Sequence, residues 1–225
     1  GRIKVVFRER NGHISAASNS ALSLATGDYT ALLDHDDELT PDALYEIASL
    51  LCREPDTDMV YTDEDKIDTR GERHSPFFKP DWSPDTLLSL MYTCHLGVYR
   101  TALVRRIGGF REGFEGSQDY DLVLRLTEHT ERIGHIPRIL YHWRSIPESS
   151  AARFQAKDYA QDAGLRAIRE ALRRRGEDAW VEPIAGLSGR YLVRYRLRGT
   201  PLISIVIPTR DQPELLEACL QSVFR

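Results

Sequence analysis

Four acidic residues stand close together in the stretch ALLDHDDELTP, directly after an apolar run. They are Asp34, Asp36, Asp37 and Glu38. Two like charges 4 Å apart repel by about 1 kcal/mol in water and by about 4 kcal/mol near a protein surface. Carboxylates at this spacing suit Mg²⁺ or Mn²⁺, which takes one or two of them and leaves its other sites to water and phosphate oxygens. The alternative is a loop whose acids simply favour the N-terminus of the next helix.

Two other acidic motifs were compared with this stretch. An EF-hand loop beginning at Asp34 requires glycine at its sixth position and glutamate at its twelfth, where the sequence has Leu39 and Tyr45. A phosphatase with an aspartyl nucleophile also begins with Asp-x-Asp after a strand. The sequence offers no convincing companion lysine motif for that chemistry, and a metal-dependent phosphatase remains the weaker alternative.

Each acidic cluster follows a predicted strand. YTALLD predicts a buried strand that ends at Asp34, and DMVYTDEDKID predicts a short strand, Met59 to Tyr61, followed by residues 63–65 with the sequence DED. Amphipathic helices are predicted before and after YTALLD, so the order of elements is β-α-β-α. Open α/β sheets of this kind bind ligands at the carboxyl ends of their strands. For residues 63–65, contact with a sugar and a solvated loop remain equal alternatives.

The remaining patterns predict the secondary structure of the N-terminal and C-terminal parts of the chain. IKVVFRE near the start favours a strand, and residues 158–175 favour one long helix that connects two parts of the chain. RYLVRYRLRG alternates like a strand, and PLISIVIPTRDQPELLEACLQSVF predicts a buried strand followed by an amphipathic helix.

Composition excludes several classes of protein. The chain has 225 residues, of which 41% are hydrophobic, so it can form a full core. Its net charge of -4 gives no reason to expect a nucleic-acid partner. The three cysteines are too few and too scattered for a disulfide framework. No apolar run approaches the roughly 20 residues that span a bilayer, so we expect a cytoplasmic protein.

Several motifs occur together in the order typical of one enzyme family. They are NGHISAASNSALSLATGDYTALLDHDDELTPDAL, VYTDEDKID, FKPDWSPD, CHLGVYR, IGGFREGFEGSQDYDLVLR and IPRILYHWR. In these residues the sequence closely resembles bacterial family 2 glycosyltransferases of the GT-A fold, which build O-antigen and other surface polysaccharides. The resemblance spans residues 2–150 approximately. It implies a Rossmann-like mixed sheet flanked by helices and a metal-dependent hexosyltransferase that uses a nucleotide-diphospho-sugar.

The resemblance also implies which residues hold the donor and the metal. The family's D-x-D motif falls on Asp34 and Asp36, which would hold Mn²⁺ or Mg²⁺ against the diphosphate. His142 is the third implied metal ligand, with an ordinary structural histidine as the alternative. The implied donor-binding residues are Asn19, Asp34, Asp36, Asp37 and Arg144. Ser18 stands where the family usually has arginine, and Asp37 either positions the donor sugar or caps the loop.

The family's catalytic base is matched by the pair Gln118-Asp119. Asp119 would take the proton of an acceptor hydroxyl in a single inverting displacement, without a covalent intermediate. The alternative is a first-turn acid stabilised by the helix dipole, with Ser117 as the N-cap. Asp121 points to another face of this helix and is predicted to be structural.

A member of this family should begin with a strand like SIVIPVYN and a second strand ending in DDGS, and neither precedes Gly1. We therefore expect an N-terminally truncated GT-A domain at 1–155, a helical and β connector at 156–200, and the first strand and helix of a second GT-A domain at 201–225. The expected acceptor is a growing polysaccharide or lipid-linked glycan, with peripheral association at the inner membrane face left open. The alternative function is an inactive carbohydrate-binding or scaffold fragment.

Overall fold

The computed structural model describes residues 2–145 and 158–224, and it divides into two units, Gly1–Tyr195 and Arg196–Arg225. The strands of the first unit are β1 (Tyr29–Ala31), β2 (Glu38–Leu39), β3 (Met59–Ile67), β4 (Arg73–Phe77), β5 (Gly97–Arg100), β6 (Ile133–Arg144), β7 (Ala179–Pro183) and β8 (Tyr191–Tyr195). Its helices are α1 (His13–Leu24), α2 (Ala43–Arg53), α3 (Pro84–Ser89), α4 (Thr101–Arg106), α5 (Gln118–Leu126) and α6 (Asp158–Arg174). In the second unit, the described residues contain α7 (Pro213–Val223).

The central strand of the main sheet is β3. Within the described residues the sheet runs in the order β1-β5-β3-β6-β2, and β4 pairs with the second half of β3. β6 lies parallel to β3 from Met59 opposite Ile133 to Ile67 opposite Arg144, while the other pairings are antiparallel. β7 and β8 form a separate two-stranded sheet. The predicted mixed α/β sheet flanked by helices is confirmed.

Alternating residues of β3 divide the core between the two faces of the sheet. Met59 and Tyr61 pack in a cluster with side chains of α3, α4, α5 and α6. Val60 packs on the opposite face against α2 and β6, where Ala43 and Ile47 are buried. β3 is therefore covered on both faces, which explains why its first half is continuously apolar.

Residues 158–195 are part of the first unit. The α6 side chains of Ala167, Ile168 and Ala171 are fully buried in the same cluster as α5, and Val181 of β7 and Tyr191 of β8 join them. The predicted helix at 158–175 is therefore present, but it packs as a core helix and not as a free connector. Part of the predicted segment, 156–157, lies outside the described residues.

Three predicted strands differ from the structure. IKVVFRE forms no strand, and neither does ISIVIP in the second unit, because the described residues provide no partner for their backbone hydrogen bonds. The predicted buried strand YTALLD is short and only half-buried, because β1 is the edge strand of the sheet and pairs with β5 alone. The assignment of 201–225 to a second GT-A domain stays a prediction.

Among residues 2–145 and 158–224, no helix combines the length and the apolar character that crossing a bilayer requires.

We predict that Ile168→Ala lowers the free energy of unfolding by about 2–5 kcal/mol, because it leaves a cavity in a closely packed core. Ile168 is 0% exposed, whereas Leu187 in the same part of the chain is 54% exposed. Leu187→Ala is the control and should cost under about 0.5 kcal/mol. Urea unfolding of both variants measures the difference. Equal costs would mean that α6 does not pack in the core.

Candidate active site

The acidic loop between β1 and β2 is held in place by the end of β6. The Tyr141 hydroxyl donates to one carboxylate oxygen of Asp37, and the backbone N–H of Arg144 donates to the other at 2.8 Å. The Arg144 guanidinium donates to the main-chain oxygen of Asp36 at 2.6 Å and pairs with the Glu38 carboxylate. Asp37 thus fixes the loop, and the structure also gives Arg144 protein partners on this loop.

Asp34 and Asp36 lack the close basic partners that the buried acids of the unit have. Among the described residues, the Asp34 carboxylate has no hydrogen bond or ion pair, and the Asp36 carboxylate has only the exposed His35 at 3.7 Å. Burial raises the pKa of Asp34, and the carboxylates of Asp119 and Asp36 raise it further, against the opposing effect of His95. Asp34 as a residue is nevertheless exposed, so a cation from solvent can reach it.

Each buried acid elsewhere among the described residues of the unit is paired with one or more basic protein side chains. The pairs are Asp58 with Arg100 and Arg132, Asp63 with His135, Glu64 with Lys79, Asp65 with Arg73, and Asp121 with Arg111 and Arg125. A carboxylate without such a partner is costly to keep charged in a crowded site. The chain therefore provides close basic partners for its buried acids, and among the described residues it provides none of that kind for Asp34 and Asp36.

Residues 63–65 lie on the central strand, so the alternative of a solvated loop is wrong. Asp63, Glu64 and Asp65 are buried between β4 and β6. The Asp63 carboxylate accepts from the His135 ring and from the backbone N–H of Lys79, both at 3.0 Å. Hydrogen bonds of this kind allow acidic residues to be buried on the strand, which continues to Ile67.

Glu64, Lys79 and His95 form a buried charge network below the acidic loop. The Lys79 ammonium lies 3.3 Å from the Glu64 carboxylate, which also accepts the backbone N–H of His95. Burial raises the pKa of Glu64, but the bonds and charges from His95 and Lys79 outweigh it, so the pKa lies below its usual value. Burial lowers the pKa of His95, but Glu64, Asp119 and Asp34 outweigh it, so this pKa is raised.

His142 is oriented by a carboxylate. Its Nδ1 pairs with Asp65 on the neighbouring strand β3, which leaves Nε2 as the ring atom that could bind a metal. A carboxylate behind a histidine is the usual arrangement in metal sites. In the part of the chain that the structure describes, however, no three His, Cys, Asp or Glu side chains form a ready metal cluster. The set of Asp34, Asp36 and His142 is thus not preassembled, and its ligand role stays a prediction.

Asp119 lies in the first turn of α5, near enough to Asp34 for its carboxylate to contribute to the raised pKa of Asp34. Its Oδ1 accepts the backbone N–H of Tyr120 at 2.8 Å. Burial raises the pKa of the neighbouring Cys94 thiol well above its usual value, and the Asp119 carboxylate adds to the shift. The structure therefore brings the predicted base and the D-x-D loop to one place. Asp121 is buried between two arginines, so its predicted structural role is confirmed.

Asn19 makes contacts of a structural kind. Its amide nitrogen donates to the Phe110 carbonyl at 2.7 Å, and its amide oxygen accepts the Phe110 N–H at 2.9 Å. This pairing ties α1 to the turn after α4. Its role in donor binding stays a prediction.

Sequence reasoning missed the network of Glu64, Lys79 and His95 and the bond between Asp37 and Tyr141. These partners stand from 15 to 104 positions apart in the chain, so no local spacing reveals them. One signal was available for β3. Met59, Tyr61 and Ile67 are apolar at the period of a strand, with Asp63 and Asp65 between them on the same face.

The mixed sheet flanked by helices is a GT-A architecture, and comparison with known proteins gives the family. Residues 1–108 match Glycosyl transferase family 2 and belong to it. The chain is 44% identical over 223 residues to the O-antigen biosynthesis protein RfbC of Myxococcus xanthus, covering 99% of this chain and 17% of RfbC. It spans a quarter or less of the length of the curated relatives that it matches.

Solved structures share the fold at low sequence identity. S. aureus TarS 1-349 in complex with UDP-GlcNAc has a TM-score of 0.57 and 19% identity, over 75% of this chain and 50% of that one. The mannosyltransferase PcManGT from Pyrobaculum calidifontis, in complex with GDP-Man and Mn²⁺, has a TM-score of 0.53 and 16% identity, over 76% of this chain and 46% of that one. The predicted GT-A fold is thus confirmed.

We predict that the stabilisation from Glu64 and His95 depends on pH. The pKa of Glu64 is lowered in the folded state, so its contribution to stability is complete above pH 4.5, the ordinary pKa of glutamate. That contribution is lost as the pH falls through the pKa of the folded state. The pKa of His95 is raised in the folded state, so its contribution to stability is complete below pH 6.5, the ordinary pKa of histidine. That contribution is lost as the pH rises through the pKa of the folded state. Between pH 4.5 and 6.5 both parts are present.

Urea unfolding of the wild type and of His95→Gln across pH measures this effect. Their difference in unfolding free energy should be largest in that window, by up to about 3 kcal/mol, because the substitution breaks a buried ion pair in which the His95 Nδ1 lies 3.3 Å from the Glu64 carboxylate. The control is His74→Gln on exposed β4, which should show no such maximum. A difference that stays constant with pH would contradict the prediction.

Proposed function

We propose that this chain carries the catalytic unit of an inverting glycosyltransferase, which moves a sugar from a nucleotide-diphospho-sugar to a hydroxyl of a growing polysaccharide or lipid-linked glycan. The observation that supports this most is the pair of carboxylates on Asp34 and Asp36, which have no protein cation and lie near Asp119. The family match covers the D-x-D loop.

The residues of the chain suit a divalent cation. Asp34 and Asp36 supply the one or two carboxylates that Mg²⁺ or Mn²⁺ takes in a nucleotide site, and His142 supplies a carboxylate-oriented ring nitrogen. Burial raises the pKa of Asp34, the carboxylates of Asp119 and Asp36 add to the rise, and a cation at this place would oppose both effects. When bound, the cation supplies Lewis-acid stabilisation of the charge on the leaving diphosphate. Binding of Mn²⁺ by PcManGT together with its donor supports the choice of metal.

Asp119 acts as the general base. Its Oδ1 is held by the Tyr120 N–H, which leaves Oδ2 to accept the proton of an acceptor hydroxyl. That oxygen attacks the anomeric carbon as the bond to the diphosphate breaks, so the configuration inverts in one step. Asp37 and Arg144 hold the loop that carries Asp34 and Asp36, which keeps the donor side of the site in a fixed place.

The proteins that this chain resembles support a class of donor and a class of acceptor. TarS was solved with UDP-GlcNAc and PcManGT with GDP-Man, so a nucleotide-sugar donor is the class we propose here. The acceptor would be a glycan, free or lipid-linked, as the name of RfbC, an O-antigen biosynthesis protein, suggests. We place the reaction in the cytoplasm, with peripheral association at the inner membrane face as an arrangement that lipid-linked acceptors would favour.

We predict that Asp34→Asn weakens Mn²⁺-dependent nucleotide binding by at least about tenfold, the scale on which metal sites respond to lost partners. Calorimetric titration of the full-length protein with UDP, GDP and dTDP, with and without Mn²⁺, measures the nucleotide affinity. Asp56→Asn is the matched control, because it removes an exposed carboxylate away from the loop. Equal Mn²⁺-dependent binding by both variants would contradict the metal assignment.

We predict that Asp119→Asn lowers kcat by about 10²–10⁴-fold, the usual contribution of a general base, while nucleotide binding stays within twofold. Transfer is followed as nucleotide release from a panel of nucleotide-sugars. Asp85→Asn is the control, because Asp85 is also a first-turn helix acid but lies in α3. Equal turnover of Asp119→Asn and wild type would leave Asp119 as a helix acid only.

The same assays separate the alternative functions. A protein that binds glycans but transfers no sugar from any donor is the carbohydrate-binding or scaffold form. Phosphate release from small phosphoesters, without dependence on acceptor sugars, would indicate a phosphatase.

A further inference from the structure

Helix α6 lies outside the residues that match the family and packs directly on the segment that carries Asp119. Three of its residues make hydrogen bonds to the segment 113–128, namely Ala160, Arg166 and Arg174. A fourth, Glu170, accepts from Arg111, which in turn donates to Asp121 of α5. Because α5 begins inside this segment, α6 lies where it can set the position of the first turn.

Ser117 shows this most directly. By position it is the N-cap of α5, and the sequence predicts that its hydroxyl caps the helix. In the structure the hydroxyl makes no cap hydrogen bond and donates instead to the main-chain oxygen of Ala160 in α6, at 2.8 Å. A cap hydrogen bond stabilises a helix by about 1 kcal/mol. Ser117 forgoes that stabilisation and makes a tertiary hydrogen bond instead, two residues before Asp119.

Gly116 brings the same loop against α6 without any space between them. Its φ is +82°, and a Cβ there would lie 2.7 Å from the Ala160 Cβ and 2.9 Å from a ring carbon of Tyr159. Only glycine meets both conditions, the left-handed backbone and the close approach. On the other side, a Cβ at Gly164 of α6 would overlap the Tyr191 hydroxyl and lie 3.2 Å from the Ser117 hydroxyl.

An ion network fixes the rest of the contact. Arg111 donates to both oxygens of the fully buried Asp121 and, at 2.7 Å, to Glu170 of α6. Arg174 of α6 pairs with Glu128 after the end of α5, with the shortest N···O distance at 2.7 Å. Both ends of α5 are therefore attached to α6, and the rigid-body freedom of the helix that bears Asp119 is small.

We propose that α6 is the positioning element of the catalytic base, and that the contact of Gly116 and Ser117 with Ala160 holds Asp119 at its working distance from the acceptor. The inference rests on the proposed function of Asp119. Ser117 is a positioning residue, since it acts through the turn that follows it. A misplacement of about 1 Å can cost 10²-fold in rate without affecting substrate affinity.

Ser117→Ala tests the hydrogen bond. We expect kcat to fall about tenfold, with the KM for the donor and the binding of UDP and Mn²⁺ within twofold of wild type. The control is Thr127→Ala at the other end of α5. The Thr127 hydroxyl also donates to a backbone carbonyl, that of Val123, at 2.9 Å. The control should keep the kcat of wild type.

Gly116→Ala tests the close approach and has a control with the same backbone geometry. Gly71 also has a φ of +82°, but a Cβ there would meet no atom within 4 Å. Gly71→Ala therefore carries the same backbone strain without touching α6. We expect Gly116→Ala to lower kcat at least tenfold more than Gly71→Ala does, with donor KM unchanged in both.

The outcomes distinguish this inference from the proposed function. If Asp119→Asn is inactive while Ser117→Ala and Gly116→Ala match their controls in kcat, α6 does not position the base and the inference alone is overturned. A parallel fall of kcat, donor affinity and melting temperature in both variants would show general loosening and also overturn it. If Asp119→Asn turns over like wild type, the base assignment fails and the inference fails with it.

Discussion

Charge balance at the carboxyl ends of the central strands is the constraint on which this site depends. The unit buries several acids, and protein cations neutralise them within hydrogen-bonding distance, as Lys79 does for Glu64 and Arg73 for Asp65. Desolvated carboxylates without such partners would oppose folding. Asp34 and Asp36 have no such close cationic partner among the described residues, and they lie where solvent can reach them. In the function proposed above, a cation bound with the donor would neutralise these two carboxylates.

The loop that carries these two acids is nonetheless rigid. Asp37, between them and β2, is bound by Tyr141 and by the Arg144 backbone, and the Arg144 side chain reaches back to Asp36. Because β6 pairs with both β3 and β2, the same strand fixes the loop and orients His142 through Asp65. Charged groups can stabilise a reacting diphosphate only if they are held in position before it binds.

The two chemical halves of the site come from different parts of the chain. Asp34 and Asp36 lie within the family-matching residues 1–108, and Asp119 lies beyond them on α5. α5 is fixed by α6, whose contact with Gly116 and Ser117 leaves no room for adjustment. A helix that by sequence resembles a connector thus belongs to the same core as the candidate site. Burial of Ala167 and Ile168 in that core explains why the helix is apolar on one face.

The sequence by itself determined the alternation of strands and helices around the acidic loop and the long helix at 158–175, because periodicity and cap residues act over a few positions. The motifs in their order also led to the family. Only the tertiary structure decided that residues 63–65 are buried on β3, that β1 is an edge strand, and that Ser117 binds Ala160 instead of capping α5. Each of these depends on a partner far away in the chain, such as Lys79 for Glu64, and burial or pairing across that distance overrides local preference.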